Sequence, residues 1–582
     1  MSQLQPTITL EDGQKVEINE SIVAPVGQPG VDIVGDNTKL NLTNQGAVTA
    51  PDEGNTGVLS SGNNVEIANE GEISGAFNGI SSTGDSFTLR NGHPGIISSD
   101  SRAVDLSDGD NITVENRGTI IGTGNQRNGT FYIDGTVDNL NLTNFESGII
   151  NAGEGNLGDG ISVQVGAEGD LINDSINITN HGIVAGRGQA EFSPEEGRLT
   201  ANGSSGVRFF NGSDAPEATV TGSLINTGSI TSEVNVGFLG GLVVEDGVSY
   251  QGDIANNGLI SGSRNGLYIG NAEHQLEITN EANGRIESGS RAVNLDGDDV
   301  SFENFGTVVG TDSQRNGTLY VDGTGDNIEI ENQQHGVIDA GEGNSGSGVS
   351  IQVGTANGLP DSGNDVETSV DLVNDGLIQG RGTENVPAGV RLFLGSGLDA
   401  ATFTGDITNN SNGVITSETD AGILIEDNIT FNGEITNEGT IIGGNGLAID
   451  ASGALGDVDL ENSGILEGDV LLGDGNDTLI NNSHQALNIN AGGGNDTLTG
   501  GSGVNVYSFA LESGQDTITD FQAGQDVLSL GAYFESVDEV FGSTTQDGHD
   551  ALIDLGNDNS ITLVNVGVSD LTAESFAFTE FL

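Results

Sequence analysis

Short runs in which every second residue is apolar recur along nearly the whole chain. Leu40-Asn41-Leu42, Val65-Glu66-Ile67, Ile112-Thr113-Val114 and Ile328-Glu329-Ile330 are examples. Alternation with a period of two marks a strand that buries one face. Each run leads into a second recurring phrase: Asn, one or more residues, Gly, any residue, Ile or Val, any residue, a small residue. It reads Asn44-Gln45-Gly46-Ala47-Val48, Asn69-Glu70-Gly71-Glu72-Ile73-Ser74-Gly75 and Asn116-Arg117-Gly118-Thr119-Ile120-Ile121-Gly122, and again from Asn256, Asn304, Asn437 and Asn462. Looser copies bring the total to about fifteen between residues 44 and 468, spaced mostly by roughly 22 to 30 residues. Further strands follow the phrase, such as Gly129-Thr130-Phe131-Tyr132-Ile133 and Gly266-Leu267-Tyr268-Ile269.

Several short strands per fixed period, joined by Gly, Asn and Asp, predict the coils of a solenoid. The expected fold is all-β: a right-handed parallel β-helix with Ile, Val and Leu stacked coil on coil inside. The Asn at the repeated corner can hydrogen-bond its equivalents above and below, forming a ladder. The glycine beside it supplies the backbone freedom of the corner. A string of β-sandwich domains has the same strand content, but sandwiches do not repeat Asn-x-Gly at one corner.

A longer period lies on top. Residues 102–165 match 291–353, Gly206-Val207-Arg208-Phe209-Phe210 matches Gly389-Val390-Arg391-Leu392-Phe393, and Gly241–Asp246 matches Gly422–Asp427. The body is therefore a tandem duplication, 79–265 and 266–450, after first coils at 31–78. Two long coils, around 150–206 and 338–389, carry extra residues that must loop out of the stack. Residues 1–30 hold Thr7-Ile8-Thr9-Leu10 and Lys15-Val16-Glu17-Ile18, which read as strands and not as an amphipathic capping helix. They form either a cap on the chain's own first coil or an edge for pairing with a second subunit.

Charge narrows the partners. With 86 acidic and 15 basic residues the formal net charge is −71, so nucleic acid and anionic membranes are excluded as partners and divalent cations are favoured. The acids are interleaved with Val, Ile and Leu, which argues for order in spite of the charge. There is no cysteine, and hence no disulfide or thiolate site. No segment approaches the ~18 consecutive apolar residues of a membrane helix. Met1-Ser2-Gln3-Leu4-Gln5-Pro6 has neither a basic n-region nor an apolar h-region, so no Sec signal peptide is expected.

Within the segment 451–510 two turns differ from the rest: Gly473-Asp474-Gly475-Asn476-Asp477-Thr478-Leu479 and Gly492-Gly493-Gly494-Asn495-Asp496-Thr497-Leu498. Both carry Gly-x-Gly-x-Asp-x-apolar, all but the first glycine of the repeat Gly-Gly-x-Gly-x-Asp-x-apolar, a turn that points carbonyls and one carboxylate inward and makes an oxygen cage for Ca²⁺ when coils stack. Gly501-Ser502-Gly503-Val504-Asn505 repeats the pattern with Asn in the acidic position. Asp477 and Asp496 lie 19 residues apart, so their turns should face one edge. From here to the end the chain resembles the RTX (repeat-in-toxin) secreted proteins. The order Gly514-Gln515-Asp516-Thr517-Ile518-Thr519-Asp520-Phe521, then Asp570-Leu571-Thr572-Ala573-Glu574-Ser575-Phe576, resembles their serralysin-type C-terminal module. The resemblance spans about 468–582. It implies a short calcium β-roll, ligands at Gly473, Gly475, Asp477, Gly492, Gly494, Asp496, Gly501, Gly503 and Asn505, and a terminal contribution from Asp516 and Asp520. It further implies a C-terminal β module at 511–582 carrying a signal for the type I secretion machinery of a Gram-negative-type bacterium.

No catalytic constellation stands out. His-Glu-x-x-His is absent, and the six histidines show no metal-ligand spacing. Parallel β-helices can host polysaccharide-cleaving clefts. The retained pairs Arg102/Arg291, Arg127/Arg315, Arg187/Arg381 and Arg208/Arg391 are the basic residues such a cleft would use. The plainer account is that these arginines bridge neighbouring carboxylates. The long apolar helices of a pore-forming toxin are missing, and the last 110 or so residues are unlike the membrane barrel of an autotransporter. The expectation is a secreted, calcium-dependent structural or adhesive protein of a surface layer, sheath, extracellular filament or biofilm matrix. Its expected partners are copies of itself and cell-surface polysaccharide. The alternative is an extracellular lyase or epimerase acting on acidic polysaccharide.

Overall fold

A computed structural model describes residues 6–123, 129–134, 137–153, 158–166, 173–187, 191–193, 198–200, 204–212, 218–233, 240–312, 317–323, 325–355 and 367–578. It is 55% strand and 2% helix, and its principal sheets are parallel, as a right-handed β-helix requires. The chain divides into two compact units, Met1–Val300 and Ser301–Leu582.

In the first unit each coil has three strands, one on each face. The first coil is Ile8–Leu10, Lys15–Ile18 and Ser21–Val23. The next is Val31–Ile33, Lys39–Leu42 and Ala47–Ala50, and each strand pairs in parallel with its equivalent below. The N-terminal strands thus belong to the stack itself. The third face shows why these residues form these strands. Its inward column runs Ile22, Val48, Ile73, Ile97, Ile120, Ile150, Val184, Ile230, Ile260, Ile286 in strict register, and all are buried. A β-branched side chain fits the pleat and stacks on its copy one strand spacing away.

The second face ends, coil after coil, on the recurrent Asn. Its amide Nδ2 donates to the Oδ1 of the next Asn at 2.8 Å, from Asn69 through Asn91, Asn116, Asn144, Asn180, Asn226 and Asn256 to Asn280. The same Oδ1 also accepts the backbone N–H of the glycine two residues on, at 3.1 Å for Asn69–Gly71 and 3.2 Å for Asn180–Gly182. This is an Asx turn, and it explains the Asn-x-Gly spacing. The step stays at 2.8 Å even where successive Asn residues are 36 and 46 positions apart, so the ladder keeps its spacing whatever the length of the intervening coil. One excursion contains the antiparallel pair Glu191–Ser193 and Arg198–Thr200.

The second unit repeats the plan. Its ladder passes from Asn304 through Asn332, Asn374, Asn409, Asn437 and Asn462 to Asn481, at 2.7 to 2.8 Å per step. It ends on the carbonyl of Gly500. The inward column Val308, Ile338, Ile378, Ile415, Ile441 is capped by Leu466. Beyond it the period falls to 18 to 21 residues and the third face disappears. Asn488–Asn490, Val506–Ser508 and Val527–Ser529 stack as one sheet, and Thr478–Asn481, Thr497–Thr499 and Gln515–Ile518 as the other. The result is a two-sided roll. Asn559–Leu563 continues the second sheet in parallel with Gln515–Ile518 and then pairs antiparallel with Asp550–Gly556. That hairpin, with the short helix Val537–Gly542, covers an edge that would otherwise stay open.

Candidate metal centre

The roll has turns along two edges, and each edge carries one acidic or amide side chain per coil. At the edge leading into the second sheet stand Asp477, Asp496 and Asp516. Each follows a glycine by two residues and precedes the apolar first core residue of a strand, Leu479, Leu498 or Ile518. The backbone N–H of Asp477 donates to Asp496 Oδ1 at 2.9 Å, and that of Asp496 donates to Asp516 Oδ1 at 3.1 Å. Asp477 uses both oxygens on amides, Val458 N–H at 2.7 Å and Gly473 N–H at 3.1 Å.

The other two aspartates are less satisfied. Asp496 Oδ2 and Asp516 Oδ2 are buried and make no hydrogen bond. Burial pushes the Asp496 carboxyl up to about 8, and the charges of Asp516 and Asp477 push the same way. Burial likewise lifts Asp516 to about 7 and Asp477 to about 6. Backbone N–H donors, joined at Asp516 by the side chains of Ser513 and Asp496, offset part of the cost of burying charge, and no cationic side chain offsets the rest.

Glycine makes room for this column. At Gly494, with φ +116°, an added Cβ would lie 1.8 Å from the carbonyl oxygen of Gly475. At Gly492, φ +78°, it would lie 2.0 Å from that of Gly473. Any larger residue would force the coils apart.

The opposite edge holds Asn505 and Asp526. Leu487 N–H donates to Asn505 Oδ1 at 3.1 Å, and Asn505 N–H to Asp526 Oδ1 at 2.9 Å. Gly501 and Gly503 lie in the turn before Asn505, and a Cβ on Gly503 would meet the Gln485 carbonyl at 1.9 Å. Asp520 is built differently. It clamps the turn by accepting Gly500 N–H at 2.9 Å and Gly501 N–H at 2.8 Å. The structure therefore brings Asp516 into the Asp477–Asp496 column and sets Asp520 apart. Asp526 was missed by sequence reasoning, although Gly524-Gln525-Asp526-Val527-Leu528 has the same glycine–acid–apolar spacing.

These residues fit a hard divalent cation. The donors are oxygens throughout, two buried carboxylate oxygens lack partners, and the column repels itself. The carboxylates are strung one per coil. Among the described residues no three His, Cys, Asp or Glu side chains converge on one point, so backbone carbonyls would have to complete any coordination shell.

Five of the six described arginines singled out by the duplication pair with carboxylates. Arg102 pairs with Asp105 at 3.1 Å, Arg187 with Glu233 at 3.6 Å, and Arg381 with Asp339 at 2.5 Å and Glu418 at 2.7 Å. Arg208 pairs with Glu245 at 2.7 Å and Arg391 with Glu426 at 2.6 Å. Arg291 stands in register with Asn265. Arg127 and Arg315 lie outside the described residues. Among the described residues no helix is long and apolar enough to cross a membrane.

Fold and site together define a parallel β-solenoid that runs into a two-sided, aspartate-bearing roll. Neither a protein-family model nor a curated protein matches this sequence.

The aspartate column predicts an unusual pH dependence in the metal-free protein. Carboxyls raised above their ordinary value stabilise the roll when protonated. That contribution is complete below about pH 4 and is lost as pH rises through 6 to 8. Melting of the roll in EGTA, followed by proteolysis, should therefore move to lower temperature between pH 5 and pH 8. The single change Asp496→Asn should flatten the slope. A metal-free roll more stable at pH 8 than at pH 5 would sink this account.

Proposed function

We propose that this is a secreted, calcium-dependent structural or adhesive protein of a bacterial surface layer, sheath, extracellular filament or biofilm matrix. One observation carries the reading: a column of buried, mutually repelling aspartates with unsatisfied oxygens, on a chain of net charge −71. Asp496 and Asp516 would hold Ca²⁺, with Asp477 and the carbonyls of the glycine turns at 473–475 and 492–494 beside them. The ion would supply the positive charge that the column lacks.

The coupling of metal to folding then serves export. Where Ca²⁺ is scarce, as in cytosol, the roll stays open and the chain can thread a type I channel. At millimolar Ca²⁺ outside the cell, binding energy becomes folding energy. The same ions screen and bridge surface carboxylates, so like-charged subunits can approach one another. The N-terminal coil and the acidic faces are the surfaces available for self-association.

Light scattering and negative-stain microscopy test the assembly. Full-length protein should form ordered multimers at millimolar Ca²⁺ and return to single subunits in EGTA. A protein that stays monomeric in both conditions would overturn the structural reading.

A further inference from the structure

The tandem copies allow a comparison inside one chain. An outward side chain on a solenoid face has no core to fill, so it drifts between copies unless something outside the core holds it. At the corner after the second face the drift is plain. In the first copy the Arg117 guanidinium lies 3.5 Å from the Phe145 ring centroid, and Phe145 lies 6.5 Å from the His181 ring. The second copy has Phe305, Gln333 and Asp375 in those places.

The first face behaves in the opposite way. In the first unit Tyr132 donates its hydroxyl to Gln164 Oε1 at 2.5 Å, and Gln164 stands in register with Phe210. Arg208 lies 4.5 Å from the Phe210 ring centroid and donates Nε–H to Glu245 at 2.7 Å. In the second unit Tyr320 donates to Gln352 Oε1 at 2.8 Å, and Gln352 stands in register with Phe393. Arg391 lies 4.5 Å from that ring and donates Nε–H to Glu426 at 2.6 Å. All five residue types and their contacts are retained, and both phenyl rings are partly exposed. Arg208 and Arg391 are only 19% and 12% exposed, and Tyr132 and Tyr320 are buried, yet the phenyl ring beside each arginine stays partly open to solvent, whereas a ring kept for packing alone is normally buried.

We propose that this Tyr–Gln–Phe–Arg–Glu cluster, present once in each unit, binds a neutral pyranose ring of a polysaccharide. The partly exposed phenyl ring, with the arginine 4.5 Å from its centroid, would offer what remains of its surface as an apolar plate for the C–H face of a sugar. The Arg N–H groups and the Glu oxygens beside it would donate to and accept from hydroxyls on neighbouring carbons, while the Gln, whose Oε1 accepts from the Tyr hydroxyl and whose Nε2 at Gln352 donates to Asp322, Gly354 and Thr355, positions the cluster. Glu245 and the buried Asp159 face Arg208, and Glu426 faces Arg391, so neither arginine has spare positive charge to hold an anionic polymer, and the chain carries −71 overall. This deepens the adhesive reading above by naming its ligand class, but it is independent of the calcium roll.

The test is affinity electrophoresis of the full-length protein through native gels containing Ca²⁺ and dextran, mannan or β-glucan, and, because Ca²⁺ bridges carboxylates and cross-links alginate, through Ca²⁺-free gels containing alginate as the acidic polymer beside Ca²⁺-free gels of the neutral polymers. At least one neutral polymer should retard the wild type, and alginate should not. Phe210→Ala with Phe393→Ala, and separately Gln164→Ala with Gln352→Ala, should weaken that retardation at least about tenfold in apparent Kd. Phe145→Ala should leave it unchanged. Far-UV CD and protease resistance of each variant separate lost binding from lost folding. The site is overturned by any of three results: no retardation by any neutral polymer, retardation by alginate alone, or wild-type retardation in folded samples of both double variants. Calcium-dependent folding is read separately in EGTA, so either conclusion can fail while the other stands.

Discussion

In EGTA at pH 7.5, residues from about 468 onward are expected to become protease-sensitive, while the three-sided coils before them stay resistant. The physical cause is local. The unsatisfied carboxylates belong to the roll, at Asp496 and Asp516, whereas the recurrent corner side chain elsewhere is a neutral Asn with its hydrogen bonds made. Ca²⁺ at a hundredfold above its Kd stabilises a folded state that alone binds it by about 2.7 kcal/mol. The sharper form of the experiment uses Asp496→Asn with Asp516→Asn. Asn keeps the side-chain oxygen that accepts the neighbouring backbone N–H and removes the buried negative charges. This variant should be more stable than wild type in EGTA, less stable than wild type in Ca²⁺, and nearly indifferent to chelation. If far-UV CD and proteolysis of the wild type do not change on chelation, the calcium reading falls.

The second large effect should come from a single uncharged residue. Asn180 is fully buried and sits mid-ladder. Its Nδ2 donates to Asn226 Oδ1 at 2.8 Å and to the Ser229 carbonyl at 3.1 Å. Its Oδ1 accepts from Asn144 Nδ2 at 2.8 Å and from Gly182 N–H at 3.2 Å. Asn180→Ala leaves several of these groups buried without a partner, each costing about 1–3 kcal/mol. The expected local destabilisation is about 3–5 kcal/mol, several times the ordinary effect of a substitution. Because each coil touches only its neighbours, the loss should stay local. Hydrogen exchange should accelerate in Asn173–Asn180 and Ala218–Asn226 and hardly at all in coils several steps away. Thr179→Ala, one residue earlier and facing outward, should fall within about 0.5 kcal/mol of wild type. Unchanged exchange in Asn180→Ala would show that the ladder adds nothing to stability.

Much of this architecture was legible in one dimension, because a solenoid places residues a coil apart in contact. Asn-x-Gly at a steady spacing is enough to imply an Asn ladder with a glycine turn, and alternation before it is enough to imply the inward column. The two turns ending in Asp477 and Asp496 were legible for the same reason. What the spacing could not reveal is how each carboxylate is satisfied. Asp477 has both oxygens bonded to amides, whereas Asp496 and Asp516 each keep one bare. The difference depends on which backbone N–H groups point at the column, and no residue name carries that information. Asp526 had the right spacing and no second glycine pair to draw attention to it.

The chain's own pattern determined the all-β solenoid, the duplication, the ladder residue and the acidic turns, because all of these are periodic and periodicity survives in a linear string. Tertiary structure alone decided three things. It decided that the third face ends near Leu466, where coils shortened to 19 residues no longer have the length for three strands. It decided which carboxylate each arginine meets, since Arg381 reaches Asp339 from 42 residues away and Arg208 reaches Glu245 from 37. It also assembled Tyr132, Gln164, Arg208, Phe210 and Glu245 into one cluster from four separate coils. The intervening coils differ in length, so no fixed spacing marks those residues as neighbours, and only the stacking of strands in register brings them together.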